Sequence, residues 1–280
     1  MHEIGHEYLC KDEDSLTAWL NERPEAVRQN CAVFIAARSA LRVLPIAVDG
    51  FQFSDWSRQR DVTAMPIWRS LLISSVSAKL PAEVVKANAA AATSGAARLV
   101  TASMPTAARL DPSVRPTLAR VDYTVRPTLA RLNFARPAAV NAAPKAANAA
   151  ASANAANSAA AAAAAAFAAT DADAVWRNVR ADCVIWVDHA ASDGTCGIDV
   201  APLNEGEFNI SPDWPVVREK LLNDTDPDRG ADWSFWVEWY DKILRGDPQD
   251  WDMLYEIAIS QDIDWEATPR EVNAAIARIV

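Results

Sequence analysis

Asp232-Trp233-Ser234-Phe235-Trp236-Val237-Glu238-Trp239-Tyr240-Asp241-Lys242-Ile243-Leu244-Arg245-Gly246-Asp247-Pro248 is the stretch whose reading decides the fold. At 100° per residue, Trp239, Ile243, Trp236, Tyr240, Trp233, Leu244 and Val237 fill one continuous arc. Glu238, Asp241, Lys242 and Arg245 fill the opposite one. That is the pattern of an amphipathic helix with its apolar face buried. Asp232 is placed to cap its start. Gly246, Asp247 and Pro248 are placed to stop it, because Gly accepts the left-handed turn and Pro cannot continue a helix.

Working outward, Trp251, Leu254, Tyr255, Ala258 and Ile259 recur at three and four and predict a second helix. Thr268 to Glu271 is a capping box with Pro269 at the first helical position. Behind it lies the stripe Val272, Ile276, Ile279. Three such helices on short loops predict a helical module over residues 210 to 280, with the Trp face in its core.

Toward the N-terminus, Ser15 is placed to cap a short helix holding Leu16, Trp19 and Leu20. Pro24 suits the first turn of a second helix, whose stripe is Val27, Cys31, Phe34, Arg38 and Leu41, with Pro45 and Gly50 ending it. Phe51, Phe53, Trp56, Trp68, Leu71, Leu72 and Ile73 predict one more helix between residues 51 and 80.

The middle has a different composition. Met104 to Asp111, Arg115 to Asp122 and Arg126 to Asn133 are three copies of one unit with a period of 11 residues. The Pro in each copy removes a backbone donor and argues for short helical turns rather than one long helix. Ala146 to Thr170 is almost all Ala, Asn and Ser. High helix propensity predicts a helix there, but without large side chains the sequence shows no packing partner.

These elements predict an all-α fold: an N-terminal helical domain (1–83), a low-complexity connector (84–170) and an acidic, Trp-rich helical domain (171–280). Charge follows the same divisions. Residues 1–85 carry about −2, residues 86–145 about +7 and residues 171–280 about −15, within a net charge of −10. A basic middle beside an acidic end suits internal docking or an anionic partner.

Trp233-x-x-Trp236-x-x-Trp239-Tyr240-x-x-x-Leu244-x-Gly246, followed by Thr268-Pro269-x-x-Val272-Asn273, resembles a bacterial family of hypothetical proteins. In them an Ala-rich middle also precedes a Trp-rich C-terminal region. Ala36 to Pro45 is similar to their N-terminal part. The resemblance covers about half of the chain. It implies this architecture and no activity, and the Arg-Pro repeats depart from it.

Four patterns bear on chemistry. His2-Glu3-Ile4-Gly5-His6 is an H-E-x-x-H. On a helix, His2 and His6 would share a zinc ion and Glu3 would activate its water, as in the zincin metallopeptidases that this segment resembles. The metzincin Gly and third His are missing, and only Glu22 or Glu25 could complete the site. Cys183, His189 and Cys196 stand six and seven apart, which fits no common zinc pattern, and Cys183 reads as a buried thiol. Asp188 to Asp199 lacks the alternating carboxylates of a calcium loop. Arg115, Arg120, Arg126, Arg131 and Arg136, with Tyr123 and Phe134 between them, have the residue types that grip phosphates and stack bases. The overall pI near 4.8 opposes that use.

The expectation is therefore a non-enzymatic interaction or structural protein with no cofactor, acting through a protein partner or self-association. A zinc enzyme through His2, Glu3 and His6 is the alternative, and weak nucleic-acid binding the third reading. The opening residues carry no apolar signal region, and no run of 18 apolar residues exists. The four Cys then read as reduced thiols of a cytoplasmic chain.

Overall fold

A computed structural model describes residues 10–82, 85, 88–94, 141–151, 155–169, 172–189, 195–203, 214–226 and 229–280. Among them the secondary structure is helix and no strand, so the fold is all-α.

Helix α1, Glu13–Asn21, buries Leu16, Trp19 and Leu20 as its spacing predicts. Its cap is Asp12 rather than Ser15. The Asp12 carboxylate accepts the Ser15 N–H at 2.8 Å, and the Ser15 hydroxyl accepts the Asp12 N–H at 3.0 Å. Ser15 thus sits at the third helical position of a capping box.

Helix α2, Glu25–Arg42, follows Pro24 as its N-cap. Pro45 and Gly50 do not end this region. Helix α3, Leu44–Gln52, starts at once, with Pro45 in its first turn, where a missing N–H leaves no bond unmade. The single helix expected between residues 51 and 80 is broken. Helix α4, Asp55–Gln59, and helix α5, Met65–Lys79, are separated by a turn in which Asp61 takes φ 52°. Asp tolerates that left-handed conformation better than most residues.

The Ala-rich region forms a helical stretch at 141–151 and helix α6, Ala155–Ala169. Its packing partners are α1 and α2. Ala159, Ala162, Ala163 and Ala166 are fully buried, at i, i+3, i+4 and i+7. Side chains this small let two helix axes approach closely. Helix α7, Ala172–His189, then packs on both α6 and α2.

Helix α8, Trp214–Leu222, leads to the Trp-rich helix α9, Ser234–Arg245. The residue at its N-cap is Trp233, not Asp232. Asp232 still accepts the Ser234 N–H at 3.0 Å from one position further out. Gly246 closes α9 at φ 71° as expected. A Cβ there would also lie 2.6 Å from the Pro202 nitrogen, so the same glycine lets the chain touch the 195–203 loop. Helices α10, Trp251–Ile259, and α11, Pro269–Ile276, complete the chain, the latter with the Thr268–Glu271 box in place.

The Trp face is core, and Trp236 is fully buried. Its indole N–H donates to Asn273 Oδ1 at 2.8 Å, and Asn273 in turn donates to the Asp232 carbonyl at 2.8 Å. The face is not closed by α10 and α11 alone. Trp68 of α5 stands 5.4 Å from Trp236, 6.2 Å from Trp239 and 6.4 Å from Tyr240, centroid to centroid. The Tyr240 hydroxyl donates to the Leu41 carbonyl at 2.9 Å. Buried side chains from the start, middle and end of the chain accordingly form one continuous hydrophobic cluster.

Among the described residues no single helix is long and apolar enough to cross a membrane. The bent pair Val27–Arg42 and Leu44–Gln52 has the length and composition of a broken span. It packs on α5, α6, α7 and α8.

Candidate functional site

Two arginines stand on the buried face of α2, four residues apart. Arg38 is 0% exposed and Arg42 is 2% exposed, values no solvated arginine approaches. Both meet Asp182 of α7, itself 0% exposed. Arg38 Nε donates to Asp182 Oδ1 at 2.7 Å. Arg42 makes a two-pronged pair, Nη1 to Oδ2 at 2.5 Å and Nη2 to Oδ1 at 2.7 Å. The forked guanidinium matches a carboxylate in this geometry and gives the strongest kind of side-chain hydrogen bond.

Two guanidinium groups against one carboxylate leave a surplus positive charge in the core. Backbone carbonyls of the loop 195–203 offset it. Arg38 Nη1 donates to Ile198 at 2.7 Å and Ala201 at 2.9 Å, and its Nη2 to Pro202 at 2.7 Å. Arg42 Nε and Nη2 both donate to Leu203, at 3.1 and 2.9 Å. Desolvation lowers the Arg38 pKa, and the facing Asp182 works against that shift. The cluster is closed: its donors end on this chain's own oxygens, which marks a structural lock and not a substrate site.

The lock sets the position of the 195–203 loop, and the outer side of that loop forms an open cleft of about 380 Å³. Lys79 at the end of α5, His189 at the end of α7, Cys196, Asp199 and Trp251 line it. His189 Nδ1 is 2.9 Å from the Ile185 carbonyl, which can only accept, so Nδ1 donates and Nε2 is the ring nitrogen left for other partners. Asp199 Oδ2 accepts the Gln249 N–H at 2.9 Å and so ties the loop to the turn before α10. A Cβ on Gly197 would stand 2.3 Å from Asp199 Oδ1 and 3.2 Å from the Trp251 ring. The glycine therefore leaves room for the carboxylate and the indole to lie against its backbone. Burial pushes the Cys196 thiol up to about 11, so it is protonated near neutral pH and a weak nucleophile.

The expected site residues fall as follows. His2, Glu3 and His6 lie outside the described residues, as do Arg115, Arg120, Arg126, Arg131 and Arg136. Of the trio Cys183, His189 and Cys196, the structure brings His189 and Cys196 to one cleft, while Cys183 lies against Cys10. Among the described residues no group of three or more His, Cys, Asp or Glu is arranged to hold a metal ion. Asp182 was not among the site residues read from the sequence. Its signal was present: Asp182 opens the apolar run Cys183-Val184-Ile185-Trp186, and Arg38 stands inside the α2 stripe.

No family model, curated protein or solved structure matches the chain. Its functional reading rests on the geometry of the lock and the cleft.

Proposed function

We propose that this chain is a non-enzymatic recognition protein whose helical body presents the 195–203 cleft to a small planar anion. The observation that carries the reading is the convergence of Lys79, His189 and Trp251 on a loop held by a saturated buried ionic cluster. Lys79 offers a cation, His189 Nε2 a hydrogen-bonding nitrogen and Trp251 a flat apolar wall. A few convergent polar groups beside an aromatic surface are the usual make-up of a small-ligand site. Recognition is favoured over catalysis because the Cys196 thiol is held protonated and Asp199 is occupied with the Gln249 N–H.

Benzoate is a suitable probe, with cyclohexanecarboxylate as its non-planar counterpart. Ligand-observed NMR should show saturable benzoate binding at about millimolar affinity, since so few contacts give only about −4 kcal/mol. Lys79→Met and Trp251→Phe should each weaken it at least several-fold, and cyclohexanecarboxylate should bind more weakly. Benzoate binding that is absent, or indifferent to both substitutions, would remove the cleft as a recognition site.

A further inference from the structure

Cys10 and Cys183 are 173 positions apart in sequence, yet their sulfurs stand 3.4 Å from one another in the core. Each is held by an independent device. Cys10 takes a left-handed backbone conformation, φ 56°, two residues ahead of the Asp12 cap of α1. Cys183 follows Asp182, which both arginines of the lock grip. The pair is therefore built into the fold from both sides. A disulfide needs an S–S distance of about 2.05 Å, so bond formation requires the sulfurs to close by about 1.4 Å.

We propose that Cys10 and Cys183 form a redox modification site, a thiol pair that a hydroperoxide converts reversibly into an intramolecular disulfide joining the segment before α1 to α7. The Cys10 thiolate attacks one peroxide oxygen. The O–O bond breaks, Cys10 becomes a sulfenic acid and hydroxide leaves. The Cys183 sulfur then attacks the sulfenic sulfur. The S–S bond forms, and the sulfenic hydroxyl departs with the Cys183 proton as water. Two thiols are oxidised by two electrons in total, and hydrogen peroxide is reduced to two waters once the hydroxide takes up the proton released on forming the thiolate.

The charge environment divides the two roles. A hydrogen bond from the Cys183 thiol holds the Cys10 pKa below the ordinary thiol value, helped by Arg180 and Arg23, while burial and Asp12 oppose. Burial drives Cys183 well above that value, and Cys10, Cys31 and Asp182 add to the rise. Both sulfurs are buried; of the two, Cys10 has the greater thiolate character, which assigns it the attack on the peroxide and Cys183 the resolution of the sulfenic acid. All four cysteines are buried; what sets Cys10 and Cys183 apart is that their sulfurs stand 3.4 Å from one another, while burial raises the thiols of Cys31 and Cys196.

The test is peptide mapping of the full chain after hydrogen peroxide, and separately after an oxidised-glutathione buffer, with denaturation and maleimide alkylation to fix the remaining thiols. Two of the four thiols should become unreactive, and one cross-linked peptide pair should join Cys10 to Cys183. Dithiothreitol should restore both, while Cys31 and Cys196 remain alkylated. Cys10→Ser and Cys183→Ser should each abolish the cross-link. The peroxide rate should level off at a lower pH than that of a free thiol, as expected for a lowered Cys10 pKa. The proposal is overturned if all four cysteines are alkylated alike after both oxidants, or if the linked peptides join a different pair. The wild-type map decides by itself, so a serine variant that failed to fold would leave the answer intact.

Discussion

Asp182 shows how a single side chain can be visible in a sequence while its role is not. An acid beside an apolar run, and an arginine within an apolar stripe, both announce burial, because a charge on such a face is either paired or very costly. Their pairing spans 144 positions for Arg38 and 140 for Arg42, and spacing along a chain says nothing about contacts at that range. The same holds for Cys10 and Cys183. Capping residues were legible because their partners are three positions away. Thr268 and Glu271 match the expectation, and Asp12 displaced Ser15 only by moving it to the third position of the same box.

Buried neutral acids give a pH prediction at this scale. Burial raises Cys31 and Cys183 well above the ordinary thiol range and Tyr240 above the ordinary phenol range. Each group has a higher pKa folded than unfolded. Its contribution is complete below the unfolded pKa and is lost as pH rises beyond it, because the unfolded chain then releases protons that the folded chain keeps. Cys10, with its lowered pKa, acts in the opposite sense. Urea midpoints should be flat from pH 7 to about 8.5, then fall toward pH 11 as thiols and then tyrosine ionise in the unfolded state. A midpoint unchanged to pH 11 would show that these groups are not buried.

At the scale of elements, helix existence was legible and helix boundaries were not. Period and composition located α1, α2, α9, α10 and α11. They merged α4 with α5 because the break at Asp61 depends on a backbone angle rather than a residue pattern. The Ala-rich helix was legible from propensity, but its partner was not, since alanines carry no amphipathic signal. In the structure they are buried, Ala163 fully, on a helix that packs against α1, α2 and α7. Ala163→Leu should therefore overfill the contact and destabilise by about 1–3 kcal/mol. Asn157→Ala on the exposed side of the same helix should change stability by less than about 0.5 kcal/mol. Thermal denaturation of the two variants checks this, and equal shifts would mean that α6 does not pack through its alanines.

At the scale of the molecule, the sequence divides by composition while the core does not. The Trp face closes on Trp68, Tyr240 reaches the Leu41 carbonyl, and Asp224 accepts from both Trp233 at 3.0 Å and Gln52 at 3.1 Å. Arg229 donates to the Phe51 and Val62 carbonyls. Lys220 pairs with Asp49 at 2.6 Å across the surface. These contacts make α9 dependent on α2, α3 and α5, which pattern-reading within residues 210–280 had no means of showing.

The Arg38–Asp182–Arg42 lock couples α2, α7 and the 195–203 loop into one unit with α9. Asp182→Ala leaves two buried guanidinium groups without their carboxylate, which costs about 3–5 kcal/mol. Amide hydrogen exchange of that variant tests the coupling. Protected amides in α2, α7 and α9 should all exchange faster by a common factor of about 10² to 10⁴, the same energy expressed as a local opening constant. Acceleration confined to α7, with α2 and α9 at wild-type rates, would contradict it.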